Sequence, residues 1–415
     1  MSVEVKRGYK LTEVGVIPEE WEVRPLLSTV RIASGQVDPR EAPYKSMILV
    51  APNHIESKTG RLLELRTASD QKAISGKYIF SSGDIVYSKI RPYLRKAIYA
   101  DFPGLCSADM YPFTPTGDVS GKFLLPVLLG HRFSNYAESV SLRSGMPKIN
   151  RDELAGYKLA LPPLVEQNAI ANVLTDIDAL IISLDQLISK KRDIKQAAVQ
   201  QLLTGQKRLP GFSGEWGGKR MQDLGYTYGG LTGKNKQDFE NGKYPYIPFM
   251  NVLSGTVIDP EWIEYVHVQT GESQNRVEKG DLFFNGSSET PEEVGYCSVL
   301  TTAIENLFLN SFCFGFRFHQ GVKAEGLFFA YWFRSREGRQ AMAVLAQGAT
   351  RYNISKAAFL QLLVPCPSQQ EQKAIVAALS DMDAELGILE ARHDKARQIK
   401  QGMMQELLIG RIRLI

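Results

Sequence analysis

The side chains best suited to chemistry gather in two pairs of short segments. Ser88–Lys96, SKIRPYLRK, carries Lys89, Arg91, Arg95 and Lys96 with Tyr93 among them, and the later run RSGMPKINRDEL adds Arg143, Lys148, Asn150 and Arg151. In the second half of the chain FFNGSSET supplies Asn285 and Ser287, and QGATRYNISK supplies Arg351, Tyr352 and Asn353. Arginine, lysine and asparagine at loop tips form paired hydrogen bonds with guanine and adenine edges and ion pairs with phosphates. The chemistry on offer is recognition of nucleic acid, not bond making. A single cluster of this kind is also what an ordinary solvated face looks like; its occurrence in both halves is what singles it out.

Signatures of catalysis do not appear. There is no G-x-x-x-x-G-K-[ST] loop to cradle a nucleotide, no N-P-P-aromatic or D-P-P-Y run to grip a target amine, and no glycine-rich loop after a strand to hold a methyl donor. The acids Asp176 and Asp178 lie beside a helical apolar stripe and read as a charged helix face. Cys106, Cys297, Cys313 and Cys366 are far apart, form no C-x-x-C pair and, with five histidines, complete no zinc pattern. They read as reduced core thiols. No catalytic residue, metal or cofactor is expected.

What positions the two pairs of segments is a duplication. Glu166–Leu209, EQNAIANVLTDIDALIISLDQLISKKRDIKQAAVQQLLTGQKRL, returns 205 positions later as EQKAIVAALSDMDAELGILEARHDKARQIKQGMMQELLIGRIRL, with 20 identities in 44 gapless positions. Chance would give about three at ordinary residue frequencies. Fainter echoes lie upstream: Glu20–Trp21 and Glu215–Trp216, Gly83–Asp84 and Gly280–Asp281, and a Gly145-to-Asn150 spacing that matches Gly348 to Asn353. Between these landmarks the halves are unrelated, so each half reads as a variable module followed by a constant helix.

In the constant segments apolar residues recur every three or four positions, a coiled-coil stripe. The residues expected to pair the helices are Ile170, Leu174, Ile177 and Leu184 in the first copy and Ile375, Leu379, Met382 and Leu389 in the second. Prolines open each segment and Gly205 or Gly410 closes it. A 38-residue helix from Glu166 to Leu203 would run for about 57 Å, too long to bury its stripe in a small domain. The expected arrangement is an antiparallel coiled coil with internal pseudo-two-fold symmetry. The modules mix short β-rich runs such as KYIFSSGDIVYSKI with helical pieces such as GLFFAYWFRSREGRQAMAVLAQ. The fold class is therefore α+β, with two globular domains: residues 1–160, spacer helix 161–207, residues 208–363 and spacer helix 364–415. At 415 residues, 44% hydrophobic and 23% charged, the chain is foldable, and a net charge of only +4 places any DNA contact in local patches. The N-terminus lacks an apolar leader and no run is long enough to span a membrane, so a cytoplasmic protein is expected.

The P-x-x-E-Q…D-x-D-A opening at Pro163–Ala179 and, more loosely, Pro367–Ala384, with Q-x-L-L-x-G-x-x-R-L at Gln200–Leu209 and Gln405–Leu414, resembles the constant regions of type I restriction–modification specificity subunits. The N-terminal GYKLTEVGVIPEEWEVRPL resembles that family's lead-in to its first target-recognition domain. The resemblance implies a non-catalytic subunit whose two target-recognition domains each read half of a bipartite site in double-stranded DNA. It implies helices that set the gap and dock two modification (methyltransferase) subunits, which flip out an adenine in each half-site. A motor–nuclease restriction subunit completes such a complex. A coiled-coil scaffold that binds no DNA, and a self-sufficient methyltransferase or nuclease, are the rival readings.

Overall fold

The computed structural model describes residues 5–141, 146–269 and 271–414. The chain divides into two compact units, residues 1–185 with 391–415 and residues 186–390. Both are α+β and both follow one plan. In the first unit an antiparallel four-stranded sheet has the spatial order Val30–Ile32, Met110–Pro115, Ile85–Ser88, Ala97–Tyr99. In the second the order is Gly225–Gly229, Cys313–Phe318, Leu282–Asn285, Cys297–Val299. A smaller sheet in each contains one parallel pair, Ile48–Val50 with Gly104–Cys106 and Tyr244–Ile247 with Phe308–Leu309. Two consecutive helices follow, Gly121–Leu129 and His131–Ser141 or Gly326–Arg334 and Arg336–Val344. A short helix then leads to a closing strand that pairs back near the start of the module, Lys158–Leu161 on Glu22–Pro25 and Leu363–Cys366 on Gly217–Arg220.

The turns before the central strands explain the Gly–Asp echo. Gly83 and Gly280 have φ of +97° and +94°, a region open to glycine at little cost. The buried carboxylates of Asp84 and Asp281 then accept the backbone N–H of Ser81 and Glu278, each at 2.8 Å.

The long helices are Leu164–Leu203 and Gln369–Leu407, and each unit contains the start of one and the end of the other. In the first unit Lys400 pairs with Asp178 at 2.5 Å and His393 with Asp185 at 3.1 Å. Burial pushes the Asp178 carboxyl up and the Lys400 ammonium draws it back. In the second unit Lys191 meets Glu385 at 2.6 Å, Arg192 meets Glu390 at 2.6 Å, and Lys195 meets Asp383. Within each unit the helix segments therefore run antiparallel. The apolar stripe is shared with the modules. Ile170 and Leu174 are buried in one core with Leu407, Trp21, Phe123 and Phe133. Ile375 and Leu379 are buried in the other with Leu202, Leu203, Phe284 and Phe328, and Met382 packs against it. Leu184 is buried, while Ile177 and Leu389 are half-buried. These helices are thus anchored by module cores as well as by each other.

A lock built from the repeated residues closes each unit. Glu166, fully buried, accepts Trp21 Nε1 at 2.8 Å and the Arg413 fork, Nε at 2.6 Å and Nη2 at 2.9 Å. Glu371 accepts Trp216 Nε1 at 3.1 Å and Arg208 through Nε at 2.5 Å and Nη2 at 2.6 Å. The neighbouring glutamines act in parallel: Gln167 Oε1 accepts the N–H of Ser120 and Gln372 Oε1 that of Glu325, both at 2.8 Å. Each lock joins a module, the head of one long helix and the tail of the other.

The helix-ending glycines belong to it. Gly205 and Gly410 have φ of +72° and +70°; a Cβ on Gly410 would lie 2.5 Å from Pro18 Cδ and 3.2 Å from Trp21, whereas one on Gly205 would approach nothing nearer than the Trp216 ring, at 3.2 Å. Gly410→Ala is expected to cost about 2 kcal/mol or more, from left-handed backbone and the displaced proline, and Gly205→Ala less. Urea unfolding of both variants checks the order; equal losses would mean that the close approach to Pro18 is relieved without cost.

Candidate nucleic-acid interface

In the first unit three segments meet where the two central strands of the main sheet, Ile85–Ser88 and Met110–Pro115, end. Lys89 N–H donates to Asp109 O at 3.0 Å, Ile149 N–H to Lys89 O at 2.9 Å, and Arg91 N–H to Pro147 O at 2.8 Å, with Ile90 bridged to Lys148. The second unit repeats the junction. Gly286 N–H donates to Phe312 O at 2.9 Å, Ile354 N–H to Gly286 O at 3.1 Å, and Ser287 pairs with Asn353. Lys89 therefore corresponds to Gly286, Ile90 to Ser287, Lys148 to Asn353 and Ile149 to Ile354.

This corrects the register read from the glycine spacing. Asn150 corresponds to Ser355, not to Asn353, and the offset is the same 205 positions that relate the long helices. Both residues do the same local work. Asn150 Oδ1 caps the helix Arg151–Ala155 by accepting Glu153 N–H at 2.8 Å, and Ser355 Oγ caps Lys356–Gln361 by accepting Ala358 N–H at 3.4 Å. Such caps satisfy the otherwise unpaired first-turn N–H groups. Gly145, on which the spacing was read, and Arg143 lie outside the described residues.

The basic cluster read as one surface separates into three kinds of residue. Arg95 folds back on its own module, with Nε on Ser134 Oγ and Nη2 on His131 Nδ1, both at 3.0 Å, and Lys96 Nζ donates to Pro52 O at 2.7 Å. Lys89 is buried, with Nζ 4.9 Å from the Tyr111 ring centroid. Burial holds its ammonium below the ordinary lysine range, Lys148 and Arg151 press the same way, and Asp109 opposes them. The exposed members are Arg91, Tyr93, Lys148 and Arg151. Arg151 also lies 5.8 Å from the Tyr111 ring and donates through Nη2 to Ala33 O at 2.9 Å. Arg91 and Arg95 flank the single turn Pro92–Leu94 with φ of +48° and +46°, uncommon for residues other than glycine.

In the second unit Asn285 is buried and saturated. Its Oδ1 accepts Tyr296 N–H at 2.6 Å and its Nδ2 donates to Glu293 O at 2.9 Å, so it shapes the loop instead of facing outward. Ser287, also buried, accepts Arg351 Nε at 2.7 Å. Tyr352 packs half-buried against the module core, and Asn353 is exposed with Nδ2 3.4 Å from Arg351 O.

One frame thus occurs twice in the chain, with different side chains mounted on it. The family described as the type I restriction modification DNA specificity domain matches residues 18–192 and 213–398. The chain belongs to that family. It is 34% identical over 183 residues to the type I restriction enzyme EcoDI specificity subunit of Escherichia coli, covering 44% of this chain and 40% of that protein. It is 22% identical over 419 residues to the MjaVIII specificity subunit of Methanocaldococcus jannaschii, covering 96% and 94%. Two solved structures share the fold: the S subunit from M. genitalium, with a TM-score of 0.58, 14% identity and 98% of both chains covered, and the HsdS subunit from Thermoanaerobacter tengcongensis, with a TM-score of 0.51, 18% identity and 95% and 98% covered. Among the described residues of this specificity-family chain no cluster of ligating side chains could hold a metal ion, and no helix is long and apolar enough to cross a membrane.

The residues that spacing alone did not assign are those of the locks. The signal was present, since Glu166, Arg208 and Trp21 each recur in the second half. Recurrence marks them as constant without saying that they touch.

Proposed function

We propose that the chain sets the DNA sequence specificity of a type I restriction–modification complex. Residues 1–160 and 208–363 each read one half of a bipartite duplex site, and the helices in 161–207 and 364–415 set the unread gap. The observation that carries this reading is the twice-built junction, a constant backbone frame bearing Lys89, Arg91 and Lys148 in one module and Gly286, Ser288 and Asn353 in the other. A device that grips and reads two different half-sites needs that division between fixed geometry and exchangeable side chains, some meeting phosphates and others base edges. The bonds are made elsewhere: the chain recruits two modification subunits and, in the full complex, a motor–nuclease subunit. Apolar side chains left exposed on the long helices, among them Val165, Ile194 and Ile388 at 75%, 45% and 70%, favour these helices as the docking surface.

The test is a genome-wide map of adenine methylation in cells carrying the cognate modification gene, with and without this gene. A gapped, asymmetric motif that appears only with the gene is expected, and exchange of residues 1–160 for those of another family member should change one half of the motif alone. Failure of the chain to bind the modification subunit or DNA would leave a scaffold as the better description.

A further inference from the structure

We propose that Arg351 reads a guanine in the half-site of the second module, an inference that rests on the function proposed above. Arg351 stands at the tip of a short β-ribbon. Ala346–Gln347 pairs with Tyr352–Ile354, and the outer edge of that strand pairs with Ser287–Ser288. The tip closes tightly on Gly348, whose φ is +135° and where a Cβ would lie 2.1 Å from Arg351 O. The Ala346–Ile354 hairpin that carries this tip is a two-stranded arm of a three-stranded sheet, and a two-stranded ribbon is a shape the major groove of B-DNA admits.

The guanidinium is braced but not neutralised. Nε donates to Ser287 Oγ at 2.7 Å, and the guanidinium carbon sits 5.5 Å from the centroid of Phe312, which is 56% exposed. Among the described residues no carboxylate pairs with it and neither Nη has a protein partner. Several other arginines of this unit are engaged within it. Arg208 and Arg317 grip Glu371 and Asp281, while Arg334 and Arg339 donate to backbone carbonyls of Val252 and Gly295. In Arg351 alone of these, two parallel donors are held in a fixed plane with nothing in the protein to receive them. Guanine presents two acceptors, O6 and N7, at the matching spacing; adenine places a donor, N6, where O6 would be. With the side chain already ordered by Ser287 and Phe312, little rotamer freedom is lost on contact.

The experiment uses the full chain in complex with its modification subunit and a random-sequence duplex pool, from which bound duplexes are sequenced. The half belonging to the second module is identified by exchanging residues 1–160. Arg351→Ala is expected to reduce the preference for guanine at one position of that half by about 10- to 100-fold, with the other half-site and the melting temperature unchanged. Arg351→Lys should restore it only in part, because an ammonium lacks the planar fork although it can still donate to guanine, and Ser287→Ala, which frees Nε, should give an intermediate preference. An unaltered motif in Arg351→Ala, or an affinity loss uniform over all sequences, overturns the assignment while leaving the chain a specificity subunit. A wild-type complex that selects no bipartite motif overturns both.

Discussion

Glu166→Gln is expected to destabilise the unit formed by residues 1–185 and 391–415 by about 3 kcal/mol. Breaking one partner of a buried ion pair costs about 3–5 kcal/mol, and Glu166 is fully buried. The lower end applies because Arg413 keeps a second partner, Glu20 at 2.8 Å, and its side chain remains 23% exposed. Glutamine can still accept from Trp21 Nε1, but its amide NH2 then faces the Arg413 donors. Urea unfolding followed by signals from Trp21 would register the loss. A double-mutant cycle with Arg413→Gln should return a coupling of at least about 1 kcal/mol, as contacting residues in one network do. Additive losses would mean that the two residues act separately and that the tail of the second long helix is not held by this pair. Glu371→Gln should destabilise residues 186–390 in the same direction, through Arg208.

Replacing Lys148 by Gln together with Arg91 by Asn is expected to weaken DNA binding and to lower the slope of log affinity against log salt concentration by about 2. Each phosphate contact contributes about 0.9 to that slope through counterion release. Both side chains are exposed and make no contact with a carboxylate among the described residues. Asparagine suits the left-handed backbone of Arg91, φ +48°, better than most residues do, so the turn Pro92–Leu94 should survive. The loss should be similar for all sequences, which separates it from the base-specific loss expected of Arg351. Titrations of the complex with duplex DNA at several salt concentrations decide. An unchanged slope would remove these two cations from the phosphate-facing surface.

Pattern was enough for everything that repeats. The 205-residue offset, the three-and-four apolar spacing and the closing glycines specified two long helices and two modules, because helical period and chain reversal are local properties of sequence. The family followed from the same constant residues. The missing nucleotide-binding and methyltransferase motifs set only the expectation of a non-catalytic subunit. Where the modules diverge, pattern misled in detail. Asn150 and Asn353 looked equivalent by spacing, yet backbone hydrogen bonds align Asn150 with Ser355 and make both helix caps.

The same limit applied to the cations and the locks. Lys89, Arg91, Arg95 and Lys96 are indistinguishable as a run of basic residues, but one is buried over Tyr111, two donate to their own module and one is left exposed. Asn285 has the right chemistry for adenine but is buried, with its amide oxygen and nitrogen both engaged in its own loop. Glu166 and Arg413 are 247 residues apart and meet at 2.6 Å. The sequence by itself determined the repeat, the helices, the α+β modules and the family, since these are written in periodicity and recurrence. Only the tertiary structure decided which polar groups are already satisfied inside the fold, because the partner of a donor or acceptor lies wherever the fold brings it.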